Sequence, residues 1–251
     1  MQHLSTSVSP IETFAVILLL CCVLSLLAYK FQLLSASGSA ASMIIGILIG
    51  WFGSLSWLLT LIFFVFAGFI VTRFKLRVKI ERGLQEGEKG ERTYRNVLAN
   101  GLVPTVVALL AYFTGTQDEF VGEIAYISAV SVAAADTTAS ELGVLSDKTY
   151  LITNFKKVRP GTNGGISLFG TLCAILAAVL SSVIGWISII SYESANWLIL
   201  VPFFSGIIGC MVDSLIGATL EDRGYVSKLT TNIISMFVGA AIGAIITTLF
   251  Y

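Results

Sequence analysis

The chain has 251 residues, of which 56% are hydrophobic and 12% are charged, and its mean hydropathy is +0.89. Such a composition is typical of a polytopic helical membrane protein and excludes a soluble domain with an ordinary polar surface. The 15 basic and 15 acidic side chains give a formal net charge of zero, which provides no argument for a nucleic-acid partner. We therefore expect one integral-membrane domain over 1–251, all-α, with no binding of nucleic acid.

Apolar segments follow one another along the whole chain, and most of them approach the ~20 residues that a membrane-spanning helix needs. In chain order they cover 11–29, 39–52, 54–72, 97–114, 120–135, 164–190, 196–219 and 230–250. This pattern predicts about eight transmembrane helices. The second and fifth segments are short, and glycines interrupt the second. A re-entrant or broken helix there, and hence seven spans, is the alternative.

The positions of the charges predict how the chain is oriented. With these boundaries all 15 Lys and Arg residues fall on one side of the membrane, and that side is the cytoplasm by the positive-inside rule. The N-terminus then lies outside, and the cytoplasmic loops are about 73–95, 136–163 and 220–229. Topology and contact with anionic lipid are sufficient to explain the basic residues of the first loop. We expect a multi-pass protein, located in the cytoplasmic membrane if the source is prokaryotic.

The loop 136–163 and the start of the next span carry the most unusual polar residues. In chain order they are an acidic and hydroxyl cluster, a basic run and a glycine run: Asp136, Thr137, Ser140 and Glu141; Lys156, Lys157 and Arg159; Gly161, Thr162, Asn163, Gly164 and Gly165. Carboxylates near a bilayer are costly, so they are a functional hypothesis by default. If the fifth span continues as a helix through Glu141, then Asp136 and Ser140 share one face at its cytoplasmic end.

A second pairing of an aspartate with a serine, Asp213 and Ser214, lies near the predicted cytoplasmic end of the seventh span. Mg²⁺ prefers one or two carboxylates, with water and phosphate oxygens completing its octahedron. If Asp136 and Asp213 are adjacent in the fold, they would anchor a complex of Mg²⁺ and a nucleotide. The alternative is that each acid forms an interfacial ion pair with a nearby Lys or Arg.

The glycine run immediately precedes the sixth span. Its backbone N–H groups and the helix N-terminus could cradle an anion, and Lys156, Lys157 and Arg159 are placed to neutralise phosphate charge. The run is not a Walker loop, because the required Gly-x4-Gly-Lys-Ser/Thr pattern does not occur. The alternative is a flexible helix cap. For the polar residues Asn100 and Asn232, at the starts of two spans, the alternative is hydrogen bonding between helices.

Four segments together resemble the integral-membrane family that contains plant and cyanobacterial phytyl-phosphate kinases. They are Asn96–Gly101, Ala135–Gly143, Gly161–Ser167 and Asp213–Leu220, and the region Gly38–Ala41 also fits the first conserved block of that family. The family is distantly similar to the CTP-dependent dolichol and phytol kinases. The chain departs from the usual pattern at three positions: Asn96 and Glu221, where members often have Gln, and Thr138, where they often have Trp.

This resemblance implies transfer of a phosphoryl group from a nucleotide, with CTP as a candidate, to phytyl or geranylgeranyl monophosphate. It assigns Asp136 and Asp213 to Mg²⁺. It assigns phosphate binding to the basic residues Lys156, Lys157 and Arg159, to the amides of the glycine run and to Ser214. It assigns orientation of the substrates to Asn100, Ser140, Glu141 and Asn163. The isoprenoid tail would stay among the spans, so the partners are a nucleoside triphosphate, an isoprenoid monophosphate and membrane lipid.

Two other function classes remain open at the level of the sequence. A cytidylyltransferase that forms a CDP-lipid would need the same Mg²⁺ and nucleotide but would release pyrophosphate. An ion-coupled transporter would place its acids near the bilayer midplane on discontinuous helices. The sequence does not give the nucleotide base, the tail length or the oligomeric state.

Overall fold

The computed structural model of the chain describes residues 9–85, 90–191 and 196–251. Their helices are α1 (Pro10–Lys30), α2 (Ala36–Phe52), α3 (Leu55–Arg73), α4 (Leu76–Glu81), α5 (Tyr94–Thr114), α6 (Phe120–Gly143), α7 (Leu168–Gly185), α8 (Leu200–Ile216) and α9 (Lys228–Phe250). The strands are β1 (Thr149–Leu151), β2 (Lys157–Val158) and β3 (Gly165–Ile166), in the antiparallel order β2-β1-β3. Seven helices are long and apolar enough to cross a membrane, and α2 is a shorter apolar helix. The prediction of an all-α polytopic membrane protein is confirmed.

Serine caps define where several helices begin. The side chains of Ser9, Ser35, Ser54, Ser167 and Ser227 each accept a hydrogen bond from a backbone N–H in the first turn of the helix that follows. The first N–H groups of a helix have no partner inside it, and a serine at the cap provides one. Such short-range bonds place the start of each span in the sequence.

The short helix α2 is continuous, so the alternative of a broken helix at this position is wrong. Its 17 residues are about 25 Å long, close to the ~30 Å of a hydrocarbon core. Before its first turn, the amide of Ser35 donates to the Arg92 carbonyl, next to the start of α5. At its last residue, the Phe52 ring contacts Tyr112 near the end of α5. Helix α2 therefore follows α5 from end to end as an unbroken helix that is shorter than the seven helices long enough to cross a membrane.

Helix α6 lies at the centre of the bundle and packs against α7, α8 and α9. The residues that face it are small. A Cβ atom at Gly206, Gly209, Gly239 or Gly243 would overlap side chains of α6, so these glycines allow α8 and α9 to approach it closely. The residues of α6 are therefore mostly buried, and its polar side chains are held inside the protein instead of facing lipid.

The fifth span is longer than the sequence predicts. Helix α6 has 24 residues and continues to Gly143, so residues 136–143 are helical instead of belonging to an irregular loop. The condition for Asp136 and Ser140 to share a helix face is thereby met. The rest of the predicted loop folds into the small three-stranded sheet, and α7 begins at Leu168, four residues later than the predicted start of that span. In the loop 73–95, residues 86–89 lie outside the described residues.

Candidate functional site

The carboxyl groups of Asp136 on α6 and Asp213 on α8 lie within hydrogen-bonding reach of each other. Asp136 lies seven residues before the end of α6, and Asp213 lies three residues before the end of α8, which continues into a π-helical turn at Gly217–Glu221. Neither helix is interrupted between the acid and the opposite end. Asp136 is buried and Asp213 is half-buried. The two acidic clusters that the sequence analysis singled out therefore form one site.

Polar residues of α9 hold this carboxyl pair. The amide nitrogen of Asn232 donates to Asp136 Oδ2 over 3.4 Å, and the Ser235 hydroxyl donates to Asp213 Oδ1 over 3.4 Å. Lys228, at the start of α9, is close enough for its positive charge to act on Asp213. Two carboxylates side by side repel each other unless a proton or a cation compensates the charge. A cation bound between the two carboxyl groups would compensate this charge.

The donor set fits Mg²⁺ bound together with a phosphate ligand. Among the described residues no group of three or more His, Cys, Asp or Glu side chains could hold a metal ion alone. Mg²⁺ typically uses one or two carboxylates and takes its other oxygens from water and substrate phosphates. Asp136 and Asp213 are the residues that would hold it, with Asn232 and Ser235 orienting their carboxyl groups.

A cavity of about 450 Å³ lies on one side of the carboxyl pair, between α6, α7 and α8, and is called the α7–α8 cavity here. Its cytoplasmic end is lined by all five residues of the glycine run, by Ser140 and by Ser214. Its membrane end has an apolar wall that includes Ala174, Ile207 and Met211. Met211 is 57% exposed on the lipid-facing surface, so the cavity reaches the outer surface of the bundle.

A second cavity of about 540 Å³ lies on the other side, between α5, α6 and α9, and is called the α5–α9 cavity. It is lined mainly by polar and charged residues: Arg92, Thr93, Arg95, Asn96, Asn100, Asp136, Thr137, Ser140, Glu141, Ser227, Lys228 and Asn232. Asp136, Ser140, Glu141 and Lys228 line both cavities. The two spaces therefore meet beside Asp136, whereas Asp213 lines only the α7–α8 cavity.

The glycine run is packed tightly against α8. Gly164 has a positive φ of +69°, and a Cβ atom there would overlap Ala218 and the carbonyl oxygen of Ser214. Two amides are used within the run, because Thr162 donates to the Arg159 carbonyl and Gly165 donates to the Thr162 carbonyl. The backbone amides of Gly161, Asn163 and Gly164 donate no hydrogen bond to the residues that the structure describes. The N-terminus of α7 is capped separately by Ser167.

The basic run lies outside both cavities. Lys156, Lys157 and Arg159 are exposed on and beside β2, and none of them lines either of the two cavities. The cations that do line them are Arg92, Arg95 and Lys228, which sequence reasoning missed. A signal for the arginines was present, since Arg95 directly precedes the Asn96–Gly101 motif and Arg92 lies four residues before it.

Glu141 is engaged in a buried ion pair. Its Oε2 atom lies 2.6 Å from the Lys79 ammonium, and its Oε1 atom accepts a 2.8 Å hydrogen bond from the Thr72 hydroxyl. Lys79 also donates to the carbonyls of Val71 and Thr72, so all three of its N–H donors have partners. Glu141 thus connects α6 to α3 and α4, which is an orienting role. Lys79 was not singled out from the sequence, because nothing local distinguishes it from its basic neighbours.

Two further predicted residues, Ser140 and Asn100, also line the cavities. Ser140 donates to the Thr137 carbonyl one turn earlier on α6. Asn100 donates to the Asn96 carbonyl within α5 and lines the α5–α9 cavity, on the opposite side of the carboxyl pair from Ser214. The structure therefore brings together Asp136, Asp213, Ser140, the glycine run and Asn100, and leaves the basic run outside.

Comparison with known proteins agrees with this architecture. A family model described as "Integral membrane protein DUF92" matches residues 19–245. An uncharacterized membrane protein of Methanocaldococcus jannaschii is 37% identical over 246 residues, which are 98% of this chain and 98% of that protein. The chloroplastic protein VTE6 of Arabidopsis thaliana is 31% identical over 223 residues, which are 86% of this chain and 65% of that protein. No solved structure shows a significant match. With its multi-pass helical fold and a family match over most of its length, the chain belongs to the DUF92 family of integral membrane proteins.

Proposed function

We propose that this protein is a prenyl-monophosphate kinase, which transfers a phosphoryl group from a nucleotide to phytyl or geranylgeranyl monophosphate at the cytoplasmic membrane face. CTP is the candidate nucleotide and Mg²⁺ the required ion. The observation that carries the proposal is the contact between Asp136 and Asp213 at the point where a basic cavity meets an apolar one. The resemblance of the motifs to the phytyl-phosphate kinase family supplies the reaction.

The chemistry needs few reactive groups from the protein. A lipid monophosphate is already ionised near neutral pH, so catalysis depends mainly on positioning and charge neutralisation. Bound at Asp136 and Asp213, Mg²⁺ would supply neutralisation of the phosphoryl oxygens. The glycine-run amides bind the phosphate of the acceptor, and Lys228 adds positive charge at the junction of the two cavities.

The apolar wall of the α7–α8 cavity gives the isoprenoid tail a path from the bilayer. Next to this wall, the lipid-facing surface carries the exposed side chains of Leu172, Leu176 and Ile208. A tail lying along this surface stays in hydrocarbon while its phosphate enters between the glycine run and Asp213. This explains why such an enzyme would be embedded in the membrane.

The geometry is less suited to the transporter alternative. The acids of a typical transporter site lie near the midplane on discontinuous helices. Asp136 and Asp213 lie toward the cytoplasmic ends of helices that are continuous on their outer sides. A cytidylyltransferase would use the same carboxyl pair, and identification of the product separates it from a kinase.

The test is an assay of the purified full chain in detergent with Mg²⁺, CTP and ATP, and either phytyl or geranylgeranyl monophosphate. Lipid mass spectrometry should detect the prenyl diphosphate. Asp136→Asn should lower its formation by about a hundredfold or more, because a charge-neutralising group at the phosphoryl site is removed. Asp147→Asn is the matched control, since Asp147 forms only an exposed ion pair with Arg82.

Two results would overturn the kinase. One is the absence of diphosphate from either acceptor with a folded protein. The other is formation of a CDP-lipid with release of pyrophosphate, which would instead support the cytidylyltransferase.

A further inference from the structure

The α5–α9 cavity differs in chemistry from the α7–α8 cavity. Its wall contains three cations, Arg92, Arg95 and Lys228, and only two acids, Asp136 and Glu141. The charge of Glu141 is already balanced by Lys79 at 2.6 Å. The net charge of the cavity wall is therefore positive, which favours a ligand carrying several negative charges.

The two arginines of this cavity have different surroundings. Arg92 is anchored by a 3.0 Å hydrogen bond to the Thr72 hydroxyl and lies 3.7 Å from Glu141. Arg95 is exposed, and its one hydrogen bond among the described residues joins Nε to the Tyr94 hydroxyl over 3.4 Å. Its terminal nitrogens therefore remain available at the mouth of the cavity, in the geometry that binds two phosphate oxygens at once.

Two amide oxygens in the same wall lack a partner. Asn232 is 6% exposed, and both its Oδ1 atom and that of Asn100 are buried without a hydrogen bond among the described residues. Their amide nitrogens are already used, by Asp136 and by the Asn96 carbonyl. The orientation of each amide is thereby defined, and each oxygen remains as an acceptor. A buried acceptor without a donor is costly, so these atoms indicate a ligand that brings N–H or O–H groups.

We infer that the α5–α9 cavity binds the soluble phosphoryl donor, a nucleoside triphosphate, while the lipid monophosphate occupies the α7–α8 cavity. This inference rests on the proposed function and assigns its two substrates to opposite sides of Asp136. Arg95 and Arg92 bind the phosphate tail, and Asn100 and Asn232 accept from the hydroxyl or amino groups of the nucleoside. A cavity of about 540 Å³ is within the usual range for small-molecule sites.

The transfer step follows from this placement. An oxygen of the lipid phosphate forms a bond to the γ-phosphorus of the nucleotide, and the bond from that phosphorus to the β,γ-bridging oxygen breaks. The electron pair of the broken bond leaves with the nucleoside diphosphate. The lipid diphosphate and the nucleoside diphosphate together carry the same total charge as the ionised reactants, so no proton has to be moved. The reacting atoms meet beside Asp136 and Ser140, which line both cavities.

The test measures binding, independently of turnover. A labelled non-hydrolysable CTP or ATP analogue with Mg²⁺ is titrated against the purified full chain in lipid nanodiscs. We expect Arg95→Gln to weaken binding by about tenfold or more, because charged hydrogen bonds to phosphate are lost, and Arg95→Lys to recover part of it. Arg77→Gln is the matched control, since it also removes one exposed cytoplasmic arginine but lies away from both cavities. Binding of geranylgeranyl monophosphate should be unchanged in Arg95→Gln.

Each contrary result has a distinct meaning. Nucleotide binding that is normal in Arg95→Gln but weakened in Arg159→Gln would overturn the inference and leave the kinase standing, with its donor beside the basic run. Loss of nucleotide binding in Arg95→Gln without any phosphoryl transfer by the wild type would support the donor site and overturn the kinase. A wild-type protein that binds neither analogue would overturn both.

Discussion

The contact between the carboxyl groups of Asp136 and Asp213 lowers the stability of the folded protein, and the proposed function requires both groups. Like charges at this distance destabilise the folded state unless a cation or proton lies between them. Sites that bind ions or perform chemistry commonly carry such a cost, and their removal stabilises the protein at the expense of activity.

We therefore expect Asp213→Asn to raise the melting temperature in buffer containing EDTA by about 2–4 °C, which corresponds to about 1 kcal/mol of relieved repulsion. The same variant should lose most of the activity and most of the stabilisation that Mg²⁺ gives the wild type. Thermal unfolding with and without Mg²⁺ measures both effects. A lower melting temperature in EDTA would show that the carboxylate is structural.

The buried ion pair between Lys79 and Glu141 joins α4 to α6, and all three N–H donors of Lys79 have partners. Lys79→Met removes the cation at 2.6 Å from the buried Glu141 carboxylate and leaves only Arg92 at 3.7 Å, so it should destabilise the fold by about 3 kcal/mol. Denaturant unfolding of the purified protein measures the loss.

Two further variants separate this explanation from a general defect in α4. The double variant Lys79→Met with Glu141→Gln should recover part of the stability, because the unpaired charge is gone. Arg82→Ala, which removes the exposed ion pair with Asp147, should change stability by less than about 1 kcal/mol. A double variant no better than Lys79→Met alone would contradict the explanation.

At the scale of elements, the glycine run is positioned by its contact with α8. Gly164 approaches the backbone of Ser214 near the end of α8 and the side chain of Ala218 in the π-helical turn Gly217–Glu221 that follows. Such turns are frequent at functional sites, because they displace the residues of a helix end. The glycine run is therefore packed directly against the segment that carries Asp213.

We expect Gly164→Ala to destabilise the protein and to weaken lipid-phosphate binding by about tenfold or more, because the added methyl group pushes the run away from α8. Gly115→Ala is the matched control: Gly115 has a similar φ of +74°, but its Cβ position is open. It should cost only the 1–2 kcal/mol or so of a left-handed alanine and leave binding unchanged. Equal effects of the two variants would show that backbone strain alone is responsible.

At the scale of the whole molecule, the two cavities open toward different phases. The α7–α8 cavity reaches the lipid-facing surface at Met211, and the α5–α9 cavity is lined by the residues that begin α5 and α9 on the basic side. The arrangement suits a reaction between a membrane lipid and a soluble anion, and it requires the basic side to be cytoplasmic.

Labelling of single cysteines tests this orientation. Asp118→Cys, in the turn between α5 and α6, should react with a membrane-impermeant maleimide added to intact cells, whereas Arg77→Cys on α4 should react only after lysis. The parent protein is the control for its native cysteines, which all lie within α1, α7 and α8. Labelling of Arg77→Cys from outside would reverse the topology and contradict a cytosolic nucleotide site.

Sequence reasoning was sufficient for the eight apolar helices, their order and the residues of the carboxyl pair, but not for α4 or the small sheet. Apolar runs, serine caps and the distribution of Lys and Arg are local properties of the chain, and the bilayer imposes its length on each span. The end of α6 was predicted too early, because its last residues, including Asp136 and Glu141, are polar yet buried against α3 and α9.

The contacts between residues of different elements were decided by the packing of the helices. Asp136 meets Asp213, Glu141 pairs with Lys79, and Arg95 lines a cavity while Arg159 does not. Each of these relations joins residues far apart in the chain. The contact between Asp136 and Asp213 depends on how closely glycines let α8 approach α6, and no pattern along a single segment encodes that distance.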